Sequence, residues 1–467
     1  MAIALDCAFP EDDPSGSSAG QHRIALFERL LDARSGRSIS PARPVIESHS
    51  EFPGNQAGRP PALPDKPPGS DEELSAGCAG RFYFDAVLVK EAFAHLEAHA
   101  QNAMEYFYAH LFVQHPEMRT MFPLTMSEHR ERVFAALARL VWSMDAPAAV
   151  SAYLGQLGVE HRKFGVKAKH YTAFFDALLA TVQHFSGPAW TERTRQAVTM
   201  AAEHTAAAML RAADLDAQRQ PAWWVGEIVR HELRSANLAV LRIRPDQPLR
   251  YRAGQYLSVQ VARWPRVWRN YSIANAPRPD GLLDLHVRAV TGGMVSKALV
   301  QHCQPGDTVL LGPARGDMTA PADQERDLVC IAGGTGLAPV KAIIEEVIAA
   351  AGGPGRRPGI CLFVGAQHAG ELYDMPALRA MESDYPPLTV VPVVSADPGF
   401  AGVRGMLPAV VRQRASCAGR EIYVCGPDAM VRETKRLLAR RSAARSIHHD
   451  PPAAVADGLL RYPQREA

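Results

Sequence analysis

Two residues that stand ten positions apart, His161 and Tyr171, could together hold a metal ion. His161, in the stretch 157–166, lies near the end of an apolar segment that has the length of a helix. A neutral imidazole binds iron through one ring nitrogen, and a hydrogen bond to the other nitrogen orients the ring. The pair therefore meets the requirements of an axial haem ligand. His161 is one of seventeen histidines, and a surface or core role is the alternative, so the rest of the chain decides between them.

A tetrapeptide on a predicted strand, Arg269-Asn270-Tyr271-Ser272, has the residue types that bind a flavin. In a flavin-binding barrel the tyrosine would pack on the isoalloxazine, the serine would hydrogen-bond the ring edge, and the arginine would face the pyrophosphate. An ordinary edge strand is the alternative for the tetrapeptide alone. A second motif comes later, at a predicted strand-to-helix turn, where backbone amides and a hydroxyl could hold phosphate. It consists of Gly292, Gly293, Val295 and Ser296.

A glycine-rich turn between a predicted strand and a predicted helix could bind a dinucleotide. It consists of Gly333, Gly334, Thr335 and Gly336. Glycine lets the backbone approach a pyrophosphate closely, and the helix N-terminus adds free amides and a positive dipole. Farther along, Cys425, Gly426 and Pro427 end a strand at the carboxyl edge, where ligands bind in parallel sheets. A small buried apolar residue is the alternative interpretation of Cys425.

Three successive patterns indicate the elements that position these residues. From 84 to 217, apolar residues recur at helical spacing and prolines mark the corners, which predicts an all-α domain. From 223 onward short alternating segments predict an antiparallel barrel, and after 327 a strand–helix alternation predicts a doubly wound α/β sheet. The predicted segments are a disordered extension (1–80), the helical domain (82–218), the barrel (222–325), the α/β domain (326–450) and a tail (451–467).

The composition excludes several classes of function. The chain has 467 residues, is 47% hydrophobic, and carries 51 basic and 49 acidic residues for a net charge of +2. Without a long basic run, a nucleic-acid partner is not expected. The seven cysteines lack zinc or iron–sulfur spacing and suit a reducing compartment, and the apolar runs are too short to span a membrane. We expect a cytoplasmic protein with no membrane association and no obligate protein partner.

Residues 223–450 resemble the ferredoxin-reductase-type module that binds FAD and NAD(P). The resemblance rests on Arg269, Tyr271 and Ser272, on the phosphate turn 292–296, and on the turns 333–336 and 425–427. It implies that FAD takes hydride from a nicotinamide near Cys425. The module often ends with an aromatic residue that covers the flavin, whereas this chain continues through His448-His449-Asp450 into two prolines. Because no arginine directly follows Gly365 to pair a 2′-phosphate, NADH is favoured over NADPH.

With the helical domain in front, the region 82–450 resembles a flavohaemoglobin, a globin fused to such a reductase. The resemblance implies that haem b, FAD and NAD(P)H are the cofactors and that His161 is the proximal iron ligand, oriented by Tyr171. Tyr108 matches the distal tyrosine that donates a hydrogen bond to bound O2, and Phe122 the phenylalanine wedged against the porphyrin. Two residues depart from the bacterial pattern: His129 replaces a glutamine, and Val133 replaces a leucine.

The family also places an acid late in the last globin helix, where it completes a proximal network with the histidine and the tyrosine. Asp214 is the candidate for that acid.

The function implied by the resemblance is that of a nitric oxide dioxygenase, with NO, O2 and NAD(P)H as its small-molecule partners. NAD(P)H would reduce FAD, FAD would reduce the haem, and NO and O2 would be converted to nitrate. Two alternatives remain open on the sequence: a haem-based sensor of O2 or NO that reduces itself, and a haem-free NAD(P)H:flavin reductase.

Overall fold

A computed structural model describes residues 84–123, 126–321, 326–351, 357–439 and 446–450. The predicted extension 1–80, with its possible helix at 23–33, and the tail 451–467 lie outside these residues. In the described part a helical domain is followed by an antiparallel, nearly closed sheet and then by a parallel sheet flanked by helices. The predicted fold class is confirmed.

The helical domain packs six α-helices around a cavity that its third, fourth and fifth members border. Asp85 caps the first helix by accepting the Val87 amide at 3.1 Å, and Thr191 caps the last by accepting the Thr194 amide at 3.2 Å. A glycine, Gly158, lets the fourth helix touch the sixth, because a β-carbon there would overlap the Met209 carbonyl. The helices are α1 (Ala86–Glu97), α2 (Ala100–Gln114), α3 (Ser127–Trp142), α4 (Pro147–His161), α5 (Ala168–Ser186) and α6 (Glu192–Ala217).

The fourth helix ends at the candidate ligand itself. A 3₁₀ turn, Arg162–Phe164, follows α4, and Gly165 then adopts the left-handed conformation (φ 69°) that ends the helix. Tyr171 lies in the first turn of the next helix, so the two candidate proximal residues lie on either side of this corner.

The antiparallel sheet has six strands in the order β4-β3-β6-β1-β2-β5. A bridge between Ile273, just after β4, and Leu285 of β5 joins the two edges, so the sheet is nearly closed into a barrel around an apolar core. One helix, α7 (Met294–Gln301), follows β5. The strands are β1 (Trp224–Ser235), β2 (Leu238–Pro245), β3 (Tyr256–Val261), β4 (Arg269–Ser272), β5 (Leu283–Arg288) and β6 (Thr308–Leu311).

The α/β domain has a parallel sheet in the order β10-β9-β8-β7-β11-β12. Its strand order reverses between β7 and β11, and ligands of open α/β sheets bind at such a switch point, outside the carboxyl ends of the strands. The strands are β7 (Leu328–Gly333), β8 (Ile360–Ala366), β9 (Leu388–Val394), β10 (Val403–Arg404), β11 (Glu421–Cys425) and β12 (Ser446–His448). The helices are α8 (Leu337–Ala350), α9 (Met375–Asp384), α10 (Leu407–Arg414) and α11 (Asp428–Ala439).

Among the described residues, no helix combines the length and the apolar character needed to cross a bilayer.

Candidate functional site

The proximal side of the helical domain presents the imidazole of His161 to a cavity. The Nδ1 atom of His161 lies 2.6 Å from the carbonyl oxygen of Leu157, one turn earlier on α4. A carbonyl only accepts, so Nδ1 carries the proton and Nε2 keeps its lone pair for a metal. Burial lowers the pKa of His161, which keeps the ring neutral. The imidazole is therefore held in the tautomer that an iron ligand needs.

Tyr171 lies beside this imidazole without bonding to it. The two ring centroids are 6.1 Å apart, and the hydrogen bond predicted from Tyr171 to the ring is made instead by the Leu157 carbonyl. Burial raises the pKa of the Tyr171 hydroxyl to about 12. Tyr171 thus packs against His161 as a neutral phenol, and its orienting role stays a prediction.

The acid expected near the end of the last globin helix does not reach the proximal side. Asp214 is exposed on α6. The carboxylate nearest to His161 in sequence is that of Glu160, which belongs to the cavity wall together with the imidazole. The role considered for Asp214 has no support in its position.

The distal side is formed by a cluster of rings on α2, α3 and the segment between them. The ring of Phe122 meets the ring of His129 at 5.2 Å and that of Tyr108 at 5.5 Å. Tyr108 and His129 are themselves 6.0 Å apart between centroids. Val133 follows His129 by one helical turn and lies in the same cavity wall. Three of the four predicted distal residues therefore line the cavity that His161 also lines, and the fourth, Tyr108, packs against the rings of Phe122 and His129.

Two polar atoms of this cluster have no partner. The Tyr108 hydroxyl and Nε2 of His129 are both buried, and neither has a hydrogen-bond partner among the described residues. A buried polar group without a partner costs roughly 1–3 kcal/mol, so a pair of them in one cluster indicates a site that a polar ligand completes. Burial, and after it the nearby Arg132, lowers the pKa of His129 to about 4, so this ring is neutral at physiological pH. Burial raises the pKa of Tyr108, so the phenol stays protonated and can donate.

The space between the two sides is large enough for a prosthetic group. The cavity has a volume of about 640 Å³, and His161 and His129 both line it. Its wall is mainly apolar, and it continues to side chains of the barrel that include Arg269 and Trp268. Among the described residues no group of three or more His, Cys, Asp or Glu side chains could hold a bare metal ion. His161 in a mainly apolar cavity wall fits a metal whose other ligands come with it, as in haem.

The flavin-type motif lies on β4, at the edge of the barrel. Tyr271 is opposite Leu257 of β3, and Ser272 is opposite Tyr256. Burial raises the pKa of Tyr271, so its hydroxyl remains protonated. Arg269 contacts the carbonyl of Trp268 at 2.9 Å and lies in the wall of the haem-sized cavity. The motif therefore borders the same cavity that His161 enters.

The predicted phosphate turn begins α7. Gly292 has a φ of 77°, and Gly293 is the N-cap, so the first amides of the helix lack intrahelical acceptors. Ser296 is buried and its hydroxyl accepts the Val290 amide at 3.3 Å, so this side chain closes the turn. Val295 is buried in the barrel core. The backbone, with Ser296 as a brace, supplies the anion-binding geometry.

The two glycine turns of the α/β domain meet at the switch point. Cys425 of β11 pairs with Ala332 of β7, so both strands end side by side. Gly333 packs against Pro427, and Gly426 has a φ of 151° that brings its backbone onto Gly333. Thr335 lies between Gly334 and Gly336 in a 3₁₀ turn that leads into α8. Burial raises the pKa of Cys425 to about 12, so its thiol is neutral.

Replacing Gly336 with alanine should weaken NADH binding. A β-carbon at Gly336 would overlap the Cys425 carbonyl and press on the Gly426 amide, which are backbone atoms that cannot rotate away. Strain of this kind costs roughly 1–3 kcal/mol, so we expect the KM for NADH to rise about tenfold or more. The measurement is steady-state reduction of a dye by NADH. A Gly370→Ala control, where an added β-carbon meets no atom within 4 Å, should behave as wild type. An unchanged KM in Gly336→Ala would contradict this site.

The C-terminal segment brings a carboxylate, Asp450, to Cys425. Burial, and after it repulsion from Asp317, raises the pKa of Asp450 to about 6. Of the two preceding residues, His448 stacks on Tyr423 at 4.7 Å and His449 contacts Lys435 at 2.5 Å. At the place where related modules often end with an aromatic residue, this chain thus presents a carboxylate. No residue is assigned as the cover of the flavin, because residues 451–467 lie outside the described part of the chain.

The turn after β8 carries a carboxylate and no arginine. Glu371 accepts the amides of Gln367 and His368 at 2.9 and 3.2 Å. In doubly wound domains the carboxyl end of the second strand is where an acid binds the ribose hydroxyls of NAD, or an arginine binds the phosphate of NADP. This turn favours NAD.

Three functional features were missed from the sequence. The Leu157 carbonyl could have been inferred from the position of His161 in the last helical turn, where a side chain can bond the carbonyl four residues earlier. Glu371 is indicated by its place after β8. The contact of Glu160 with Arg315 in the barrel has no signal in a single sequence, because 155 positions separate the two residues.

Three families match successive parts of the chain. Globin matches residues 105–209, the oxidoreductase FAD-binding domain matches 226–319, and the oxidoreductase NAD-binding domain matches 330–436. These matches fall on the helical domain, the barrel and the parallel sheet, respectively.

Curated relatives are of two kinds. The xylene/toluene monooxygenase electron transfer component of Pseudomonas putida is 31% identical over 215 residues, which cover 45% of this chain and 60% of that protein. The flavohemoprotein of Bordetella pertussis is 28% identical over 282 residues, which cover 56% of this chain and 70% of that protein. The chain thus spans only about 60% of the length of the first curated relatives that it matches.

One solved structure resembles the whole described architecture. The flavohemoglobin of Malassezia yamatoensis, solved with bound FAD and heme, superposes with a TM-score of 0.61 over 78% of this chain and 98% of that chain. At 17% identity the likeness shows the fold alone. The three domains and their order are those of that protein.

Proposed function

Because this chain belongs to the flavohaemoglobins, with a globin joined to an FAD-binding and an NAD-binding oxidoreductase domain, we propose that it is a nitric oxide dioxygenase. It would use NADH to convert NO and O2 to nitrate. The observation that carries the proposal is the pair of buried, unpartnered polar atoms in the distal ring cluster, the Tyr108 hydroxyl and His129 Nε2. His129 lines the cavity that His161 also lines in the described chain, and Tyr108 packs against His129. A predicted cytoplasmic location and the absence of a protein partner stay predictions.

The residues present fit haem on the globin side. His161 offers a neutral Nε2, Phe122 and Val133 supply apolar contacts, and Arg132 in the cavity wall offers a positive charge for a haem carboxylate. When bound, haem supplies a redox-active iron that binds diatomic gases. Burial raises the pKa of Tyr108 and lowers that of His129, so both are neutral at physiological pH and suit a neutral gas.

The chain's own residues contribute polarity at the place where charge develops. O2 gains negative charge when an electron is placed on it, and a preorganised donor in a dry pocket stabilises that charge without having to reorient. Tyr108 is protonated and has no competing acceptor among the described residues, so its hydroxyl is free to donate. His129 is neutral and can donate from Nε2 in one tautomer. Atoms and charge balance when one NO, one O2 and one electron give one nitrate.

The reductase residues would bind the cofactors that supply that electron. Tyr271, Ser272 and Arg269 would hold FAD at the barrel edge, with its phosphates at the amides that begin α7. The turns 333–336 and 425–427 would hold NADH, whose hydride carries two electrons that leave one at a time. The neutral thiol of Cys425 adds no charge where the nicotinamide would lie.

The absorption spectrum of the purified full-length protein tests this proposal first. We expect an intense haem band beside the flavin bands, a shift of the haem band on anaerobic addition of NADH, and a further change with O2. Added NO should then restore the oxidised spectrum within the mixing time. A flavin spectrum without a haem band would favour the haem-free reductase, and a stable NO complex with excess NADH and O2 would favour the sensor.

The protein should prefer NADH to NADPH. The Glu371 carboxylate at the end of β8 repels the 2′-phosphate of NADPH, and no arginine follows Gly365 directly. We expect the ratio of kcat/KM for NADH over that for NADPH to exceed about tenfold and to fall by about that factor in Glu371→Gln with Gln367→Arg. Dye reduction measures both coenzymes. Glu382→Gln, which changes another carboxylate that accepts a backbone amide, should leave the ratio unaltered. A wild-type ratio near one would contradict the assignment.

A further inference from the structure

The residue before the proximal histidine reaches out of the globin domain. One carboxylate oxygen of Glu160 lies 3.4 Å from Nε of Arg315, which follows β6 of the barrel. The other oxygen lies 2.5 Å from Nζ of Lys163, one turn later. Glu160 therefore connects the end of α4 to the barrel and to its own following turn.

Lys163 makes the second link between the two domains. Its ammonium group lies 3.4 Å from the Ser258 hydroxyl on β3 and 5.4 Å from the centre of the Trp268 ring. Only about a tenth of its side chain is exposed, so these contacts are shielded from water. We refer to Glu160, Lys163, Ser258 and Arg315 as the docking contact.

Arg315 depends on Glu160 for its counter-charge. Nε and Nη2 of Arg315 are buried and make no hydrogen bond to a described residue, and Glu160 is the one carboxylate of the described chain within ion-pair distance. The backbone of Arg315 is fixed by two hydrogen bonds with Tyr256, of 2.9 and 2.7 Å. A guanidinium that is held by its backbone and buried without another partner is costly to leave unpaired.

The docking contact lies next to both the proximal histidine and the flavin motif. Glu160 is bonded directly to His161 along the chain, while Tyr256 of β3 pairs with Ser272 of the flavin motif. Arg162 adds a third anchor, because it pairs with Asp216 and donates to the Gln220 carbonyl at 2.9 Å, at the link between the domains. The residues on both sides of His161 are thus anchored outside α4, to the barrel and to the interdomain link.

We propose that the docking contact holds the flavin domain against the proximal helix and so positions the two redox centres for electron transfer. Glu160, Lys163 and Arg315 are positioning residues in this role, and none is required for hydride transfer or for haem ligation. The inference rests on the proposed flavin-to-haem electron path and does not depend on NO as the substrate.

The test compares full-length wild type with Arg315→Glu and Glu160→Gln. Arg315→Glu places like charges against each other at the contact, and Glu160→Gln leaves the buried guanidinium unpaired. A like-charge contact costs several kcal/mol, so we expect anaerobic haem reduction by NADH to slow about tenfold or more in Arg315→Glu. We expect a smaller slowing in Glu160→Gln. NADH–dye reduction, which needs no haem, should be unaltered in both.

A second readout is independent of haem turnover. Hydrogen exchange of the backbone amides in Tyr256–Val261 and Arg162–Phe164 should accelerate in both variants, because docking protects both segments. A double variant, Glu160→Gln with Arg315→Met, removes both buried charges and should recover protection relative to Glu160→Gln alone. Arg244→Gln, which breaks an exposed ion pair with Glu227 elsewhere in the barrel, is the matched control and should match wild type in every measurement.

The proposal would be overturned if the rate of haem reduction by NADH stayed within about twofold of wild type in both variants and amide hydrogen exchange were unaltered. Such a small change in rate is less than the loss of a charge pair shielded from water should cause. Loss of dye reduction in parallel with haem reduction would also overturn it, since Arg315 would then serve the flavin site itself. A wild-type protein without a haem band would refute the proposed function, whereas the exchange comparison would still decide the docking contact.

Discussion

Replacing His161 with alanine should abolish haem binding and leave NADH–dye reduction intact. His161 presents a neutral imidazole to the cavity, with Nδ1 held by the Leu157 carbonyl at 2.6 Å. His170 also lines the cavity, but its Nδ1 accepts the Lys167 amide at 3.1 Å. Loss of an outer-shell partner alone lowers metal affinity roughly 10–100-fold, so loss of the ligand itself should cost more than about a hundredfold. The ratio of haem to FAD in the purified protein measures the effect.

The matched control is His184→Ala, which removes an exposed imidazole from α5 without reaching the cavity. Its haem content should equal that of wild type. If His161→Ala retained a normal haem spectrum, the proximal assignment would be wrong.

The second large effect is expected from Tyr108→Phe, which should release O2 much faster. A hydrogen bond to a charged group is worth roughly 1.5–3 kcal/mol, so the O2 dissociation rate constant should rise about 10–100-fold. The folded protein should not lose stability, because the hydroxyl has no partner among the described residues and its removal eliminates a buried unsatisfied group. Flash photolysis or ligand replacement measures the rate constant, and thermal unfolding measures the stability.

Tyr251→Phe is the control, and it should change stability but not O2 release. Its buried hydroxyl donates to the Ala276 carbonyl at 3.0 Å and accepts from Asn275 at 2.8 Å, so its removal should lower the free energy of unfolding by about 1 kcal/mol without an effect on O2. A Tyr108→Phe variant that loses stability like Tyr251→Phe, with unaltered O2 release, would assign Tyr108 a structural role.

Much of the fold can be predicted from local pattern. The helices of the globin domain show their apolar spacing and proline corners directly, and the barrel strands show alternation. Strands β9, β10 and β12 and helix α10 were not anticipated. These strands are ordered by pairing with strands from other parts of the chain, and the helix by packing on the sheet, so a local pattern does not reveal them.

The candidate site shows where sequence reasoning stops. Spacing brought His161, His129, Phe122 and Tyr108 into consideration. In the structure the first three line one cavity, and Tyr108 packs against His129 and Phe122. Spacing left both the Leu157 carbonyl and Tyr171 as hydrogen-bond partners of the imidazole, and the structure shows that the carbonyl accepts the hydrogen bond from Nδ1.

Contacts between residues far apart in the chain are what the sequence did not predict. The position of Asp214 in sequence suggested a proximal role, but the rotation of α6 turns that carboxylate to solvent. The pairing of Glu160 with Arg315 depends on how two domains pack, and no local rule contains that information.

The most direct test of the proposed function follows NO, O2, NADH and nitrate together in one reaction of the full-length protein. We predict that NO disappears only when both O2 and NADH are present, that one nitrate forms for each NO consumed, and that one NADH is oxidised for every two nitrates. Rapid NO removal without O2, or NO binding without nitrate while NADH is in excess, would contradict the proposed dioxygenase.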